Sequence, residues 1–290
     1  MKLSIIGAGV VGEATGVGFN MQGHDVLFYD IDKKKLASLK IKGYSVKEDI
    51  LEAVHDSDII FICVPTPTVN NRMDFSHVKS AVTSIAKALG EVRQYRVVVV
   101  RSTVLPSTTR CKVIPLLQRH SKLKAGKDFG VCMNPEFLKE KHSLQDFLNP
   151  SRIVIGEFDK QSGDPLESLY GSFKAPIFRT DLDTAEMIKY VANVFLATKI
   201  SFFNEIYIIC QELGLNADSI SKVVSLDPRI GEYGVYGGRP FEGGCLPKDL
   251  EAFLNFVKGK GINPKLLEEV FRINHRISSY CSKDEQDNVN

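Results

Sequence analysis

A cysteine at the end of a glycine-rich loop is the side chain with the clearest chemistry. Cys245 lies in the run Gly243-Gly244-Cys245-Leu246-Pro247-Lys248-Asp249, just before a predicted helix over 248–257. A helix N-terminus and a nearby lysine both lower the pKa of a thiol, which favours the nucleophilic thiolate. A buried cysteine that only packs is the alternative, and it suits the cysteines at positions 63, 111, 132 and 210, which have apolar neighbours. We therefore predict that Cys245 is a nucleophile.

Two polar side chains share one face of a long predicted helix. From 184 to 213 the chain has no proline and no glycine, and apolar residues recur at helical spacing. Lys189 and Asn193 are four residues apart in this stretch, so they lie on the same face. A lysine at the surface is the usual case, but the apolar residues around this pair favour a buried polar site.

Two segments place reactive side chains at the ends of predicted strands, and a third carries paired carboxylates. Val64-Pro65-Thr66-Pro67-Thr68 and Arg101-Ser102-Thr103-Val104 each close a strand, and open α/β sheets bind ligands at the carboxyl ends of parallel strands. The run 134–140 contains Glu136 and Glu140 at a spacing of one helical turn. We predict that these residues line a ligand site.

The N-terminal segment carries a dinucleotide-binding pattern. Gly7-Ala8-Gly9-Val10-Val11-Gly12 follows a predicted strand and opens a helix. The first glycine permits a tight turn, the second lets a diphosphate approach the backbone, and the third lets helix and strand pack closely. Asp30 ends the next strand, where a carboxylate bonds the ribose 2′-hydroxyl and repels a 2′-phosphate. The pattern therefore predicts NAD rather than NADP, with Lys35 beside the adenosine ribose.

The elements that must position these residues alternate between strand and helix in the first half. Continuous runs rich in Val, Ile and Phe predict buried strands, and periodic stretches between them predict helices on both faces of a parallel sheet. The predicted strands are 3–6, 25–29, 58–64, 96–102, 131–133, 152–156 and 176–178. We predict an α/β fold, with a doubly wound Rossmann-type sheet over 1–178. An all-helical central domain with one long helix follows over 179–290.

Composition excludes several classes of protein. The 290 residues are 43% hydrophobic and 25% charged, which is ordinary for a globular chain. The net charge of +2 argues against a nucleic-acid-binding surface, and no apolar run approaches the about 20 residues of a membrane-spanning helix. The six cysteines are scattered and form no CxxC pair. We predict a cytoplasmic protein with no metal, no nucleic-acid partner and no membrane association, and we assign no role to Cys281.

The motifs together resemble the nucleotide-sugar dehydrogenase family that includes UDP-glucose 6-dehydrogenase and GDP-mannose dehydrogenase. Seven segments match in order: 7–12, 64–68, 102–104, 134–140, 150–156, 185–205 and 243–249. The sequence departs from the family at Glu242 and Ser107, where glycine is usual, and Cys245 follows its glycine pair directly. Family members continue after the last helix into a second nucleotide-binding domain. We therefore expect the chain to lack that C-terminal nucleotide-sugar-binding domain.

The resemblance implies a reaction and the residues that perform it. The family oxidises the C6 alcohol of a nucleotide-linked hexose to the uronate with two NAD, through a thiohemiacetal and a thioester. By resemblance Cys245 is the nucleophile, and Lys189 and Asn193 stabilise the oxyanion. By the same resemblance Asp249 and Thr103 hold and activate a water near the alcohol proton. Glu140 assists the hydrolytic water, and Glu136 belongs to the same carboxylate cluster. Uronates of this kind feed polysaccharide synthesis.

The resemblance also implies the binding residues and a partner. The cofactor-binding residues are Gly7, Gly9, Val11, Gly12, Asp30, Lys35, Thr66, Thr68, Thr103, Glu140 and Lys248. The substrate-binding residues are Glu136, Phe137, Leu138, Lys189, Asn193, Tyr236, Gly237, Phe241 and Gly243. Because the family dimerises through the long helix, we expect a homodimer through residues 184–213.

Two other functions stay open. A two-electron hydroxyacid dehydrogenase of the 6-phosphogluconate type would use Lys189 and Asn193 but no cysteine nucleophile, and it would release one NADH per product. A non-catalytic NAD-binding dimerisation module would bind NAD without turning over any nucleotide sugar.

Overall fold

The computed structural model describes residues 1–92 and 94–287, with side chains as far as residue 280, so Cys281 lies outside the described side chains. It divides into two compact units. The N-terminal unit comprises Met1–Pro67 and Asp74–Lys189, and the C-terminal unit comprises Thr68–Met73 and the described residues from Tyr190 onward. The domain boundary predicted at 178–179 lies upstream of the point where the chain changes unit.

Strands lie in both units. The described strands are β1 (Lys2–Ile6), β2 (Asp25–Tyr29), β3 (Ser45–Val46), β4 (Ile59–Ile62), β5 (Thr68–Val69), β6 (Arg72–Met73), β7 (Val97–Val100), β8 (Gly130–Met133), β9 (Ile153–Glu157) and β10 (Ile177–Asp181). Eight of them form one sheet in the N-terminal unit, in the order β10-β9-β8-β7-β4-β1-β2-β3. The sequences of β4 and β7, Ile-Ile-Phe-Ile and Val-Val-Val-Val, are buried throughout because helices cover both faces. This sheet confirms the predicted fold class.

One pair of strands departs from the parallel arrangement. β8 and β9 run antiparallel, whereas the other neighbours in the sheet run parallel. The start of β9 therefore lies at the same sheet edge as the carboxyl end of β8. The sequence did not predict this reversal, because an apolar run has the same composition in either direction.

Helices surround the sheet and form most of the C-terminal unit. The described α-helices are α1 (Val10–Met21), α2 (Lys33–Ile41), α3 (Ile50–His55), α4 (Ser76–Glu91), α5 (Ile114–Ser121), α6 (Ser143–Leu148), α7 (Lys160–Leu169), α8 (Leu182–Glu212), α9 (Ala217–Val224), α10 (Leu246–Gly259) and α11 (Lys265–Asp287). A π-helical turn, Thr109–Val113, precedes α5. The long predicted helix is α8, and it contributes its residues through Lys189 to the N-terminal unit. No described helix has the length and apolar character needed to cross a membrane.

A short hairpin is the feature of the C-terminal unit that the sequence did not predict. β5 and β6 pair antiparallel, and Asn70 and Asn71 form the turn with φ of +50° and +60°. Asparagine tolerates this left-handed conformation better than most residues, and two-residue hairpin turns require it. The hairpin packs against α10 within the C-terminal unit.

Candidate active site

The N-terminal glycines form an open cradle at the start of α1. A Cβ on Gly12 would lie 1.8 Å from the carbonyl oxygen of Gly7, and Gly7 itself has φ +103°, so larger side chains are excluded at both positions. The space around Gly9 is open, and this N-cap residue offers no side chain to the first amides of α1. Helix-terminal amides without a side-chain cap are a natural site for a diphosphate. This cradle fits a dinucleotide.

Asp30 is held in place beside the cradle. One carboxylate oxygen accepts a hydrogen bond from the amide of Ala8 (2.7 Å) and the other accepts from the amide of Asp32 (2.8 Å). Lys35 Nζ lies 3.6 Å from Asp30 Oδ2. Each carboxylate oxygen keeps a further lone pair for a ribose hydroxyl. The negative group at this position fits NAD and would repel a 2′-phosphate.

The predicted threonines fall into different units. Thr66 and Thr103 are buried in the N-terminal unit, after β4 and β7. The Ser102 hydroxyl donates to the Val64 carbonyl (2.6 Å) and so joins the ends of these two strands. Thr68 instead belongs to the hairpin, where its hydroxyl donates to the Lys248 carbonyl (2.9 Å). Thr68 therefore contacts Lys248, another of the predicted cofactor-binding residues, and both belong to the C-terminal unit.

Lys189 and Glu136 form a buried ion pair. Lys189 Nζ lies 2.8 Å from Glu136 Oε1, and the two side chains are only 4% and 6% exposed. The second oxygen of Glu136 accepts from the amide of Leu138. Burial alone would raise the pKa of Glu136, but attraction to Lys189 and these hydrogen bonds outweigh it and hold the pKa below its ordinary value. The pair is therefore ionised and shielded from water.

The expected carboxylate cluster does not form. The segment between Asn134 and Lys139 is not helical, so the helical spacing that we assumed for Glu136 and Glu140 does not apply. Lys139 is extended, with φ −89° and ψ 128°, and Glu140 begins a short 3₁₀ turn at the surface. The structure brings Glu136 to Lys189 and leaves Glu140 exposed.

A second buried polar pair lies in the C-terminal unit. Asn193 Nδ2 donates to Asp249 Oδ2 at 2.6 Å, and both side chains are buried. Lys248 Nζ donates to the other oxygen of Asp249. Cys245 is exposed at the N-cap of α10, one helical turn before Asp249. The predicted nucleophile and the predicted water-holding carboxylate therefore share the first turn of α10.

Two asparagines that we did not predict hold the loop before Cys245. Asn204 accepts from the Gly238 amide and donates to the Arg239 carbonyl, each at 2.9 Å. Asn274 accepts from the Phe241 amide (2.8 Å) and donates to the Phe241 carbonyl (3.2 Å). The predicted substrate residues of this loop comprise the exposed Tyr236, the buried Phe241, and Gly237 and Gly243. A Cβ on Gly237 would lie 2.3 Å from the Phe203 carbonyl oxygen, so its glycine is required for packing.

A buried glutamate at the start of α8 is a further residue that we missed. Glu186 Oε1 accepts from the Thr109 amide (2.7 Å), which ties α8 to the π-helical turn after the Ser102–Val104 segment. Burial raises the pKa of Glu186 to about 7. Ser107, where the family usually has glycine, adopts φ +70°. Glu186 lies within the matched segment 185–205. The spacing of the residues in that segment did not indicate the contact with the Thr109 amide.

Comparison with known families matches nearly the whole chain. Residues 1–55 and 42–174 match the NAD binding domain of the UDP-glucose/GDP-mannose dehydrogenase family, and residues 183–276 match its central domain. The chain belongs to this family. The predicted resemblance is confirmed, and so is NAD as the cofactor.

Individual curated proteins of the family are similar to this chain over nearly its whole length. GDP-mannose 6-dehydrogenase of Pseudomonas savastanoi pv. phaseolicola is 38% identical over 297 residues, which cover 94% of this chain and 68% of that protein. UDP-glucose 6-dehydrogenase TuaD of Bacillus subtilis is 38% identical over 95% of this chain and 63% of its own length. The chain is therefore shorter than these relatives.

Solved structures of family members share the fold. The UDP-glucose dehydrogenase of the hyperthermophilic archaeon Pyrobaculum islandicum gives a TM-score of 0.92 at 33% identity, covering 99% of this chain and 71% of its own. A ternary complex of GDP-mannose dehydrogenase from Pseudomonas aeruginosa gives 0.76 at 36% identity, covering 95% and 69%. The two relatives carry different nucleotide sugars in their names, so family membership leaves the sugar and the nucleotide of this chain open.

Proposed function

We propose that this protein is an NAD-dependent nucleotide-sugar 6-dehydrogenase that oxidises the C6 alcohol of its substrate twice, to the uronate. The names of its curated relatives, which act on GDP-mannose and UDP-glucose, support the reaction class. The observation that carries the proposal is the pair of buried polar contacts made by Lys189 and Asn193, four residues apart on α8. If Lys189 and Asn193 only stabilised α8, neither side chain would need a buried carboxylate as its partner.

The first oxidation needs a base for the alcohol proton. Asp249 is oriented by Asn193 on one oxygen and by Lys248 on the other, which suits it to hold a water for that proton, and resemblance to the family gives Thr103 the same task. The cradle at Gly7–Gly12 and Asp30 would hold NAD, which would supply the acceptor for the hydride that leaves C6. The sugar product of this step is an aldehyde.

The second oxidation proceeds through a covalent intermediate, because loss of hydride directly from an aldehyde carbon would leave an acyl cation, whereas a tetrahedral adduct releases hydride as its oxygen re-forms the carbonyl. The Cys245 thiolate adds to the aldehyde carbon, a C–S bond forms, and the carbonyl electron pair moves to oxygen. A second bound NAD would supply the hydride acceptor, and the adduct on Cys245 is a thioester once the hydride has left. Water assisted by Glu140 then cleaves the C–S bond, releasing the carboxylate and regenerating the thiol.

The oxyanion of the covalent intermediate needs hydrogen-bond donors. Lys189 has three N–H donors and uses one on Glu136, whereas the Asn193 amide has two and uses one on Asp249. The remaining donors suit a developing negative charge, and each of the two side chains is buried. This inventory supports the oxyanion role proposed for both residues.

The stoichiometry of the reaction tests the proposal. A panel that includes UDP-glucose and GDP-mannose identifies the substrate through NAD reduction by the 290-residue chain. We expect two NADH per uronate, and we expect Cys245→Ala to lower uronate formation at least about 1000-fold without weakening NAD binding. One NADH per product would instead support the hydroxyacid dehydrogenase, and NAD binding without turnover of any sugar would support the non-catalytic module.

We also propose a homodimer that forms through α8. Val191, Phe195, Phe202 and Ile209 lie on this helix at 53%, 63%, 54% and 46% exposure. An exposed apolar stripe of this kind marks an interaction surface. We expect a sedimentation mass of two chains at micromolar concentration, and Phe195→Asp should shift it towards one. A wild-type mass near 32.3 kDa would contradict the dimer.

A further inference from the structure

A cavity of about 300 Å³ lies in the N-terminal unit where β8 ends and β9 begins. Its charged lining residues are Arg101, Glu136, Lys139, Asp146 and Arg152. Both carboxylates are already engaged by lysines, since Glu136 pairs with Lys189 (2.8 Å) and Asp146 with Lys139 (3.6 Å). Among the described residues neither arginine has a carboxylate within 4.0 Å. The cavity therefore contains two guanidinium groups that form no ion pair with a described residue, and Glu136, already paired with Lys189, attracts Arg101 only from a longer distance.

Arg101 lies in the wall of the cavity with only neutral partners. It is 5% exposed, its Nε donates to the Thr15 hydroxyl (2.9 Å), and its Nη1 donates to Asn134 Oδ1 (2.5 Å) and to the Tyr170 hydroxyl (3.3 Å). Its Nη2 makes no hydrogen bond to any residue that the structure describes. A buried cation is costly unless an opposite charge compensates it. An anion in the cavity would supply that charge.

Arg152 is the second unpaired cation, and its orientation is fixed. Its guanidinium carbon lies 3.7 Å from the centre of the Phe137 ring, and Nη1 donates to the Ser151 hydroxyl (3.1 Å). Burial lowers the pKa of Arg152 below its ordinary value, and no acid opposes this shift. Stacking on a ring leaves the in-plane N–H donors of a guanidinium available to a ligand.

We propose that this cavity binds a phosphate-type oxyanion between Arg101 and Arg152. Two guanidinium groups match the charge of a phosphate ester, which is about −1.5 to −2 at neutral pH. Their planar arrays of donors also match its oxygens better than an ammonium would. The oxyanion comes either from the diphosphate of the nucleotide sugar or from free phosphate or a phosphomonoester. In the first case the proposal rests on the function proposed above.

Titration calorimetry of the full chain with inorganic phosphate at low ionic strength tests the site. We expect the wild type to bind, and we expect Arg152→Gln to weaken binding about tenfold or more. Arg119→Gln, which removes an exposed arginine from the same unit, should bind as the wild type does. Arg101→Lys keeps the buried charge but loses the planar donors, so it should weaken binding while preserving the fold. Absence of phosphate binding by the wild type, or equal binding by Arg152→Gln and Arg119→Gln, would overturn the proposal.

Competition separates the two sources of the oxyanion. If the substrate diphosphate occupies the cavity, saturating phosphate should raise the apparent Kd of UDP-glucose or GDP-mannose, and Arg152→Gln should raise it as well. If the site takes a separate phosphate, both ligands should bind the wild type together and Arg152→Gln should leave nucleotide-sugar affinity unchanged. Phosphate binding is measured without turnover, so its failure is distinguishable from failure of the Cys245 chemistry.

Discussion

The two units hold their buried carboxylates in different ways. In the N-terminal unit Glu136 faces Lys189 in an ion pair whose side chains are 6% and 4% exposed. In the C-terminal unit Asp249 shares its two oxygens between the neutral amide of Asn193 and Lys248, whose side chain is 27% exposed. The first arrangement fixes a cation in a dry environment, where it acts most strongly on a developing negative charge. The second keeps a carboxylate next to a group in contact with water, which suits a residue that handles protons.

We expect the largest effect on stability from removing Lys189, the cation of the buried pair in the N-terminal unit. Lys189→Met leaves the Glu136 charge buried without its partner, and we expect a loss of about 3–5 kcal/mol in the free energy of unfolding. Denaturant unfolding of the variant measures it, with the exposed Lys79→Met as control. Adding Glu136→Gln should recover part of the loss, because the uncompensated charge is then gone. A cost equal to that of Lys79→Met would show that the pair is not shielded.

Glu186 is another buried carboxylate of the N-terminal unit, and it should make the stability of the fold depend on pH. Its pKa is about 7 in the fold against an ordinary 4.5, so below pH 4.5 both states are protonated and the carboxyl has no effect. Between pH 4.5 and 7 only the unfolded chain releases the proton. The free energy of unfolding therefore falls by about 3 kcal/mol as the pH rises through this range, and the decrease is complete above pH 7.

Glu186→Gln should keep the bond to the Thr109 amide and remove this penalty. Unfolding free energies at pH 4.5 and pH 8 should therefore differ less in Glu186→Gln than in the wild type. The exposed Glu91→Gln variant should retain the wild-type difference. If Glu186→Gln also kept the full wild-type difference, Glu186 would not be the titrating group.

The smallest effect is expected in the C-terminal unit. Asn193→Ala removes one hydrogen bond from Asp249 but leaves Lys248 in contact, so we expect a loss of about 1–3 kcal/mol. The same denaturant assay gives the value, and Asn193→Asp would add a like charge and should cost more. A loss as large as that of Lys189→Met would remove the contrast between the units.

Local pattern was sufficient to predict most elements of the fold. β2 occupies the predicted residues because it is a continuous apolar run between turns, and α8 covers nearly all of the predicted helical stretch 184–213. The hairpin at Thr68–Met73 was missed because its strands are two residues long and have no periodicity to detect. The direction of β9 was missed because strand order depends on contacts between distant segments.

The site shows the same limit. Sequence identified Lys189 and Asn193 as polar residues in apolar surroundings, and the structure buries both. Asp249, which the family resemblance implied, is buried as well. The sequence did not identify the partners of these residues, because the Asn193–Asp249 contact joins residues 56 apart in the chain. Glu136 was grouped with Glu140 on an assumed helical spacing, whereas the backbone between them is not helical and Glu136 contacts Lys189 instead.

The path of the chain through the hairpin has a consequence for dissecting the protein. The backbone leaves the N-terminal unit after Pro67, supplies Thr68–Met73 to the C-terminal unit, and returns at Asp74 before it leaves again after Lys189. A single cut after Lys189 therefore cannot release the C-terminal unit whole. The released piece would lack the hairpin and the bond from Thr68 to the Lys248 carbonyl at the first turn of α10. A fragment that carries the whole C-terminal unit must therefore include residues 68–73 as well as the chain that follows Lys189.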